Sequence, residues 1–476
     1  MVYATSEAEE LAKVTAERDE LRAQVTALLA QVAELTARVK SLELQLNQNS
    51  TNSHKSPSSD GPGKRKRKKR GSGRKPGGQK GHQGSHRELL PEEQVDNIVD
   101  EVPDVCERCG GQLEDTGDSP ERIQVTEIPP VNPTVTEYRL HKRKCTCCKA
   151  ITKAQAPAHV HGSFGPRLVA VMAMLRGGYR QSVRCTQSLV KHLFNVDIST
   201  GAISYADRQM QLALEAPYQE ALEAIRNSDK VNIDETSYPV ESQRHWLWTA
   251  VSGMVCAFTL HKSRGRKPMK ILLGDNYDGI VISDRWSTYS CYDLEKRQLC
   301  WAHLKRDFQK MVDLKDEDSH IGAALLVQEK KLFKAWGHLQ EGHIQSAEFE
   351  ALVNDTVAPA FKRLLDQGKA CASEKIKSMC TSLAKTSDAM WTFVSHPGID
   401  PTNNAAERAL RHSVIWRLLS HGTQSQRGAR FVERILTVVA SLSLQGRNLL
   451  DYLERSITAY RCGFDYPSLL PQPDTG

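Results

Sequence analysis

The chain has 476 residues, of which 39% are hydrophobic and 25% are charged, and its formal net charge is +7. This length predicts two to four domains, and this composition is typical of a globular core with polar appendages. No apolar run approaches the ~20 residues that span a bilayer, and the N-terminal residues lack the basic and apolar segments of a secretory signal. We therefore expect a cytoplasmic protein that has no membrane partner.

Residues 1–50 carry a heptad pattern that predicts a coiled coil for dimerisation. The d positions are Val14, Leu21, Leu28, Leu35 and Leu42, and the a positions are Leu11, Arg18, Val25, Val32, Val39 and Leu46. Val at a and Leu at d favour a parallel two-stranded coil, so we expect a homodimer or a higher oligomer. The alternative is a single amphipathic helix that packs on the chain's own body.

Residues 51–99 are predicted to be a flexible linker followed by a basic arm. Eleven Lys or Arg and no acid lie between Lys64 and Arg87, a density that favours contact with the DNA backbone. The candidate DNA-binding residues of the arm are Lys64, Arg65, Lys66, Arg67, Lys68, Lys69, Arg70, Arg74, Lys75, Gln79 and His82. The alternative is a solvated tail.

Residues 100–155 contain two Cys-x-x-Cys pairs, which predict one structural Zn²⁺ bound by four thiolates. The predicted ligands are Cys106, Cys109, Cys145 and Cys148, with Cys147 as a spare or alternative ligand. Strand-like sequence at Arg122–Val125 and Val135–Leu140 separates the pairs. The 35 residues between the pairs exceed the usual zinc-ribbon gap, and a redox pair is the alternative.

Residues 156–228 are predicted to be a helical DNA-binding region. Three short helices are predicted at 167–176, 182–194 and 200–211, the last capped by Ser199. Short helices joined by tight turns fit a helix-turn-helix arrangement that contacts DNA. A small helical bundle without DNA contact has the same pattern.

Residues 229–425 alternate predicted strands and helices in the order of an RNase H-like α/β core. The predicted strands are 230–235, 245–251, 254–261, 279–284 and 297–301, and the predicted helices are 267–273 and 303–314. A helical insertion spans about 316–392, and residues 426–476 form a helical C-terminal segment. The predicted fold class is therefore multidomain α+β, with the coiled coil, the zinc-binding module and the helix-turn-helix-like region preceding this core.

Three acidic residues of this core predict a catalytic metal site. Asp234 lies in the first strand, Asp284 ends the fourth, and Glu407 lies near the start of a helix. In an RNase H-like core the first and fourth strands are neighbours, which brings Asp234 and Asp284 side by side. Mg²⁺ prefers oxygen ligands, and two Mg²⁺ roughly 4 Å apart can clamp the attacking and leaving oxygens of a phosphodiester.

Each of these carboxylates also has a purely structural interpretation. Glu407 forms a capping-box pattern with Asn404 and an i,i+4 ion-pair pattern with Arg411. Asp234 suits a strand end and Asp284 suits a turn. Rival candidates for the third metal ligand are Asp400, Asp278 and Glu433.

Five sequence motifs occur along the chain. They are Gly77-Gly78-Gln79-Lys80-Gly81-His82-Gln83-Gly84, the two cysteine pairs, Asp234-Glu235-Thr236, Cys300-Trp301-Ala302-His303-Leu304-Lys305-Arg306, and Thr402-Asn403-Asn404-Ala405-Ala406-Glu407-Arg408-Ala409-Leu410-Arg411. In this combination the chain resembles the insertion-sequence-66 family of DDE-type bacterial transposases, nearly end to end. The second acidic motif of that family usually has Gly-Tyr after the Asp, whereas here Asp284 is followed by Arg285-Trp286, with Tyr289 retained.

The resemblance implies a Mg²⁺-dependent DNA transposase in the bacterial cytoplasm, associated with the nucleoid. It implies cutting of transposon ends by water and joining of the freed 3′-OH to target DNA, with Asp234, Asp284 and Glu407 holding two Mg²⁺. It also suggests accessory proteins from the same element. Residues that contact phosphate or orient the carboxylates would be His303, Asn403, Asn404, Arg408 and Arg411, and a structural role is the alternative for each.

Two other functions use the same parts of the sequence. A metal-dependent nuclease that does not transfer strands would share the core, although it has no evident need for a dimerising coil, a finger and a basic arm. A zinc-finger transcriptional regulator would use the same DNA-binding modules, and its three acidic residues would be structural.

Overall fold

The computed structural model describes residues 2–49, 52–53, 87–157 and 160–471. The chain divides into two compact units, one formed by residues 62–134 and the other by residues 1–61 and 135–476. The predicted DNA-binding residues of the basic arm, at 64–82, lie outside the described residues. None of the described helices combines the length and the apolarity that a membrane span requires.

The N-terminal heptad segment is one continuous helix, α1 (Val2–Leu46). It contains no Gly or Pro, so nothing in the sequence interrupts it. The apolar a and d side chains are all more than half exposed, from 51% at Leu42 to 76% at Leu46. The chain's own body therefore does not cover this stripe, and pairing with a second helix stays a prediction.

Around the cysteine pairs, the described part of the chain contains less strand than its sequence predicts. The segments 122–125 and 135–140 are irregular, and the strands there are instead a short antiparallel hairpin, β1 (Lys142–Lys144) with β2 (Ile151–Lys153). Val125 is 88% exposed. β-Branched residues favour a strand mainly through packing against neighbours, and these side chains have little to pack against.

The predicted helical region is confirmed as helical, with small shifts of the boundaries. Its helices are α2 (Pro166–Ala173), α3 (Val183–Phe194), α4 (Thr200–Ala213) and α5 (Glu215–Arg226). Ser182 and Ser199 cap α3 and α4, because each hydroxyl accepts a hydrogen bond from a first-turn N–H. These helices share one hydrophobic cluster with the C-terminal helices α14 (Gln426–Gln445) and α15 (Leu449–Cys462).

A five-stranded mixed sheet lies at the centre of the larger unit. Its strands are β3 (Lys230–Val240), β4 (Gln243–Ser252), β5 (Val255–His261), β6 (Ile280–Ser283) and β7 (Arg297–Leu299). The order across the sheet is β5-β4-β3-β6-β7. The first three strands pair antiparallel, and β6 runs parallel to both β3 and β7. The carboxyl end of β6 therefore lies beside the middle of β3.

The outer strand β5 is closed off by side chains of α14. The N–H groups of Cys256, Phe258 and Leu260 donate to Ser441 Oγ, Thr437 Oγ1 and Glu433 Oε1, at 2.9, 3.1 and 2.6 Å. The three acceptors are four residues apart, so they lie on one face of the helix. They satisfy backbone donors that would otherwise leave an open sheet edge.

A second hydrophobic cluster holds the helical insertion. Helix α6 (Arg266–Leu273) lies between β5 and β6 in the chain. Helix α7 (Trp301–Asp313) follows β7 directly. The insertion then contains α8 (Ser319–Gln340), α9 (Ser346–Leu352), α10 (Ala358–Lys369), α11 (Glu374–Ala384) and α12 (Thr392–Ser395). Its core is aromatic: the Trp301 ring lies 5.3 Å from Phe361 and 5.1 Å from Trp391. Helix α13 (Asn404–Ser420) then returns to pack on β3 and β4.

The exposed stripe of α1 predicts that the chain associates through this helix. In the full chain, Val25→Asp with Leu28→Asp places two charges in the a/d seam and should convert a dimer to a monomer. The matched control is Ala23→Asp with Ala30→Asp, which adds the same charges at f positions outside the seam and should leave the dimer intact. Sedimentation velocity at micromolar concentration makes the comparison; a parent chain that sediments as a monomer would contradict it.

Candidate active site

The three predicted metal-binding carboxylates converge from three different elements. Asp234 lies in the middle of β3, where it pairs in register with Thr249 of β4. Asp284 directly follows the last residue of β6, the parallel neighbour of β3. Glu407 lies in the first turn of α13, which packs across β3. The fold therefore brings together residues that are up to 173 positions apart in the sequence.

Asp234 is surrounded by other carboxylates. Burial raises its pKa well above the usual range, and the charges of Glu235, Asp284 and then Glu407 raise it further. The Glu235 N–H donates to Asp234 Oδ1 at 2.8 Å and opposes this shift. Among the described residues no cation forms an ion pair with Asp234. The ionised site therefore has an excess of negative charge.

Asp284 is oriented by backbone contacts. The Trp286 N–H donates to its Oδ1 at 2.8 Å, which fixes the carboxylate at the end of β6. The Arg297 guanidinium donates to the Asp284 carbonyl oxygen at 3.4 Å. Burial lowers the pKa of Arg297, and the charge of Asp284 opposes that shift.

Glu407 is held from the side of α7. Its Oε1 lies 3.5 Å from His303 Nδ1 and 3.4 Å from Arg306 Nη2. His303 and Arg306 are three residues apart on the helix, so they project from one face. Cys300, His303 and Glu407 also form a compact set whose possible ligand atoms all lie within 4.8 Å of one another.

The two structural interpretations of Glu407 are wrong. The helix N-cap is Asn403 and not Asn404, and the Asn403 side chain makes no capping bond. Its Nδ2 instead donates to the Ile233 carbonyl at 2.7 Å. Within the described part of the chain Glu407 pairs with α7 and not with Arg411. The side chains of Asn403 and Glu407 therefore both contact residues that are distant in the sequence.

Cys300 and Asn403 connect the elements that carry the carboxylates. The Cys300 N–H donates to Ser283 O at 2.9 Å, and the Asn403 N–H donates to Cys300 Sγ at 3.1 Å. Asn403 Oδ1 accepts from Asn232 Nδ2 on β3 at 3.1 Å. The end of β6, the start of α7 and the start of α13 are thus joined. Asn403, a predicted DNA contact, is only 1% exposed and holds the site together from inside.

Glu235 is a site residue that the sequence did not single out. It follows Asp234 and therefore points to the opposite face of β3. Its side chain is 1% exposed. It accepts hydrogen bonds from Arg264 Nε at 2.8 Å and from the Tyr289 hydroxyl at 2.7 Å. Burial and then Asp284 raise the pKa of Glu235. The sequence feature that could have identified Glu235 is an acidic residue within a run of apolar strand residues.

The rival third ligands lie in other settings. Glu433 accepts from Leu260 of the outer strand, as described above, and from Thr259 Oγ1 at 3.1 Å. Asp278 is exposed and pairs with Lys296. Asp400 is exposed. None of the three is among the charges that raise the pKa of Asp234.

The remaining candidate DNA contacts of the third motif lie on the outer side of α13. Asn404, Arg408 and Arg411 are all exposed. Their spacing of four and three residues places them on one face of the helix, so they form a polar, basic stripe that begins beside Glu407. This stripe lies opposite the buried side of α13, where Asn403 contacts β3.

The first cysteine pair forms a tight turn. The Cys106 N–H donates to Gly111 O at 3.0 Å, and the Gly110 N–H donates to Cys106 O at 2.8 Å. Gly110 has φ +73°, which favours glycine. The N–H groups of Arg108 and then Cys109 lower the pKa of the Cys106 thiol, which favours the thiolate that binds metal.

The second cysteine pair repeats this turn. The Cys145 N–H donates to Ala150 O at 2.7 Å, and the Lys149 N–H donates to Cys145 O at 3.1 Å. Lys149 has φ +61°, at the same turn position as Gly110. The N–H groups of Cys148 and then Cys147 lower the pKa of the Cys145 thiol. Two turns that each present a cysteine pair in this way are suited to Zn²⁺.

The paired turns predict which cysteine is dispensable for zinc. The parent chain should bind one equivalent of zinc, and Cys109→Ser should lose it, because three thiolates cannot complete the tetrahedral site. Cys147→Ser is the matched control and should retain the metal. Zinc analysis of the purified chains tests this. Retention by Cys109→Ser, or loss by Cys147→Ser with retention by Cys148→Ser, would contradict the predicted ligand set.

Two proteins of Sinorhizobium fredii (strain NBRC 101917 / NGR234) are similar to this chain. The uncharacterized protein y4hP is 24% identical over 389 residues, which cover 73% of this chain and 69% of that protein. The uncharacterized protein y4qI is 22% identical over 406 residues, which cover 78% of this chain and 73% of that protein.

Three family models match the chain. Residues 9–88 match a family of unknown function (DUF6444), and residues 103–149, which contain both cysteine pairs, match the zinc-finger binding domain of transposase IS66. Residues 161–431, more than half of the chain and all three acidic residues, match the transposase IS66 family. The chain therefore belongs to the IS66 family of transposases, DNA-binding enzymes, and carries the zinc-finger domain of that family.

Proposed function

We propose that the chain cuts and joins transposon ends by two-metal phosphoryl transfer at Asp234, Asp284 and Glu407. The observation that carries this proposal is the convergence of these carboxylates around the middle of β3, where burial and then the neighbouring charges raise the pKa of Asp234. Ionised carboxylates are costly to bring together unless a cation neutralises them. Two Mg²⁺ would supply that charge.

The residues present fit Mg²⁺. All three proposed ligands offer carboxylate oxygens, which this hard cation prefers to sulfur or nitrogen. When bound, two Mg²⁺ would polarise the scissile phosphate and lower the pKa of the attacking water or 3′-OH. The nearby Cys300 thiol is a poor alternative ligand, because Mg²⁺ prefers oxygen to sulfur.

Other residues of the chain hold the carboxylates in place. His303 and Arg306 fix one oxygen of Glu407 and leave the other, Oε2, available as a ligand. The backbone N–H of Trp286 orients Asp284, and that of Glu235 orients Asp234. Preorganised ligands reduce the reorganisation needed during phosphoryl transfer.

The DNA would lie along the exposed basic residues. Asn404, Arg408 and Arg411 begin beside Glu407 and are suited to contact phosphates that flank the scissile bond. The basic arm, with its eleven Lys or Arg, would add salt-sensitive affinity that does not depend on sequence. Helices α3 and α4 would contribute a helix-turn-helix contact.

The proposed organisation of the whole chain follows from these roles. Strand order β5-β4-β3-β6-β7 supports an RNase H-like core at 229–425, interrupted by the insertion at about 316–392. The other segments would serve DNA binding and pairing. They are the coil at 1–50, the arm at 51–99, the zinc module at 100–155, the helical region at 156–228 and the segment 426–476. Two coils joined as a homodimer would hold two transposon ends together in the bacterial nucleoid, with accessory proteins of the same element.

Removing the charge of any one proposed metal ligand should block phosphoryl transfer. Asp234→Asn, Asp284→Asn and Glu407→Gln each remove a metal-binding charge while nearly preserving shape. Each should still bind transposon-end DNA, yet cleavage and strand transfer with Mg²⁺ should fall at least about 100-fold, or ~2.7 kcal/mol. Cleavage and joining of labelled end DNA measure this effect.

Three outcomes would contradict the proposal in different ways. Cleavage without joining indicates a nuclease. DNA binding without any Mg²⁺-dependent cleavage by the parent chain indicates a regulator. A Glu407→Gln chain that cuts and joins like the parent removes Glu407 from the metal site.

Removing the charge of Asp234 should also change the thermal stability of the chain. Because burial and then neighbouring carboxylates raise the pKa of Asp234, the folded chain loses stability as the pH rises above the ordinary Asp pKa, and the loss is complete above the raised pKa. Asp234→Asn should therefore raise the melting temperature without added Mg²⁺, and the difference from the parent should shrink as pH falls. Mg²⁺ should stabilise the parent more than the variant.

The control for this effect is Asp278→Asn. It removes an exposed acid that pairs with Lys296, so its melting temperature should change little and should not rise. Thermal unfolding monitored across pH, with and without Mg²⁺, makes the comparison. A lower melting temperature for Asp234→Asn would indicate that Asp234 is a structural hydrogen-bonding residue.

A further inference from the structure

Beside the carboxylates, arginine and tryptophan side chains stack alternately. The Arg264 guanidinium lies 4.5 Å from the ring centroid of Trp246 and 4.0 Å from that of Trp286. The Arg244 guanidinium lies 4.7 Å from the Trp246 ring. We call these four residues the Trp–Arg ladder. Such stacks of a cation on an indole are individually favourable.

The ladder is connected to the proposed metal site through Asp284. Arg264 Nε donates to Glu235 Oε1 on the opposite face of β3 from Asp234. At the other end, the Trp286 N–H donates to Asp284 Oδ1. Both contacts are 2.8 Å long, so the position of the ladder is fixed relative to the carboxylates.

The outer end of the ladder is accessible. Trp286 is 39% exposed, an unusual setting for a tryptophan unless it contacts a partner. The residues that directly follow Asp284 are Arg285 and Trp286. Arg285 is anchored away from the ladder, because its Nη1 lies 3.1 Å from Asp307. Trp286 is therefore the residue of this pair that is available to a ligand.

Further basic residues flank Arg264, which stacks on this exposed indole, in the sequence. Four of the six residues from Lys262 to Lys267 are Lys or Arg. Lys262, Arg266 and Lys267 are exposed, and within the described residues none of them forms an ion pair. An aromatic face beside uncompensated positive charge is the combination that binds single-stranded nucleic acid, through base stacking and phosphate contacts.

We propose that the Trp–Arg ladder binds an unpaired nucleotide of the DNA next to the scissile phosphate, with its base stacked on Trp286. The base must be unpaired or terminal, since both faces of a base inside a duplex are already stacked. Unstacking costs a few kcal/mol, so a frayed or cut DNA end is the preferred ligand over continuous duplex. This inference rests on the proposed function, because that function places DNA ends at Asp284.

The test compares two DNA probes that do not depend on the terminal-repeat sequence. One is a blunt 20-bp duplex, and the other is the same duplex with a short thymidine overhang that carries one 2-aminopurine at the junction. The full chain is used without added Mg²⁺. Trp286→Ala should weaken binding of the overhang probe roughly 10-fold or more, and should change binding of the blunt duplex less than about 2-fold. The 2-aminopurine emission that changes on binding to the parent should no longer change.

Two further variants separate stacking from structure. Trp286→Phe keeps an aromatic face and should restore most of the preference for the overhang. Phe464→Ala removes an aromatic ring that is 68% exposed at another part of the surface, and should bind both probes like the parent. Equal weakening for both probes, no weakening for either, or no rescue by Trp286→Phe would overturn the proposal. An effect of Trp286→Ala only on self-association would assign the ladder to a second copy of the chain and overturn it too.

The proposed function and this inference fail separately. The binding assay needs no catalysis, so a chain whose Asp234→Asn variant still transposes can nevertheless show the overhang preference. Conversely, a chain that cuts and joins with Mg²⁺ but binds both probes equally refutes only the role of the ladder.

Discussion

Repulsion among carboxylates in a partly buried site is the constraint on which the rest of this structure depends. Asp234, Glu235, Asp284 and Glu407 are close enough that the first has its pKa raised by the other three. A fold that only needed stability would separate them or replace one with a neutral residue. The chain instead balances two of them, Glu235 with Arg264 and Glu407 with Arg306, and leaves Asp234 without an ion pair among the described residues. Asp234 and Asp284 therefore contribute negative charge that no ion pair of the described residues balances.

Hydrogen bonds between uncharged groups oppose this repulsion. Cys300 accepts from the Asn403 N–H and donates its own N–H to Ser283, while the Asn403 side chain bonds to Ile233 and Asn232. Together these bonds join the three elements that carry a carboxylate, directly between α13 and β3 and through Cys300 between α13 and β6. Because the groups are buried, breaking any one of them leaves a polar atom without its partner, at a cost of about 1–3 kcal/mol. The third motif therefore holds together the elements that carry the carboxylates.

The sequence predicts most of this arrangement, and its failures depend on distant partners that are either present or missing. The strands and their order follow from β-branched runs and turn residues, and the boundaries of α3 and α4 follow from Ser182 and Ser199 as caps. The capping box predicted for Asn404 and Glu407 fails because the helix cap is Asn403 and because Glu407 pairs with Arg306, 101 positions away. The strand predicted around Ile123 fails because that side chain, 81% exposed, has no sheet to join. Local patterns are reliable only where no distant residue competes for the same group.

The carboxylates also lie at the boundary between two hydrophobic clusters. On β6, Val281 belongs to the cluster of the sheet and the terminal helices, whereas Ile282 belongs to the cluster of the insertion. Asp284 follows them directly. Glu407 extends from the first cluster and meets His303 and Arg306, which extend from the second. The insertion therefore contributes to the position of Glu407, because Trp301 and its aromatic neighbours pack α7, and α7 contacts Glu407. A shift between the two clusters would move Glu407 relative to Asp234, so the long insertion sets the geometry of the triad that it interrupts in sequence.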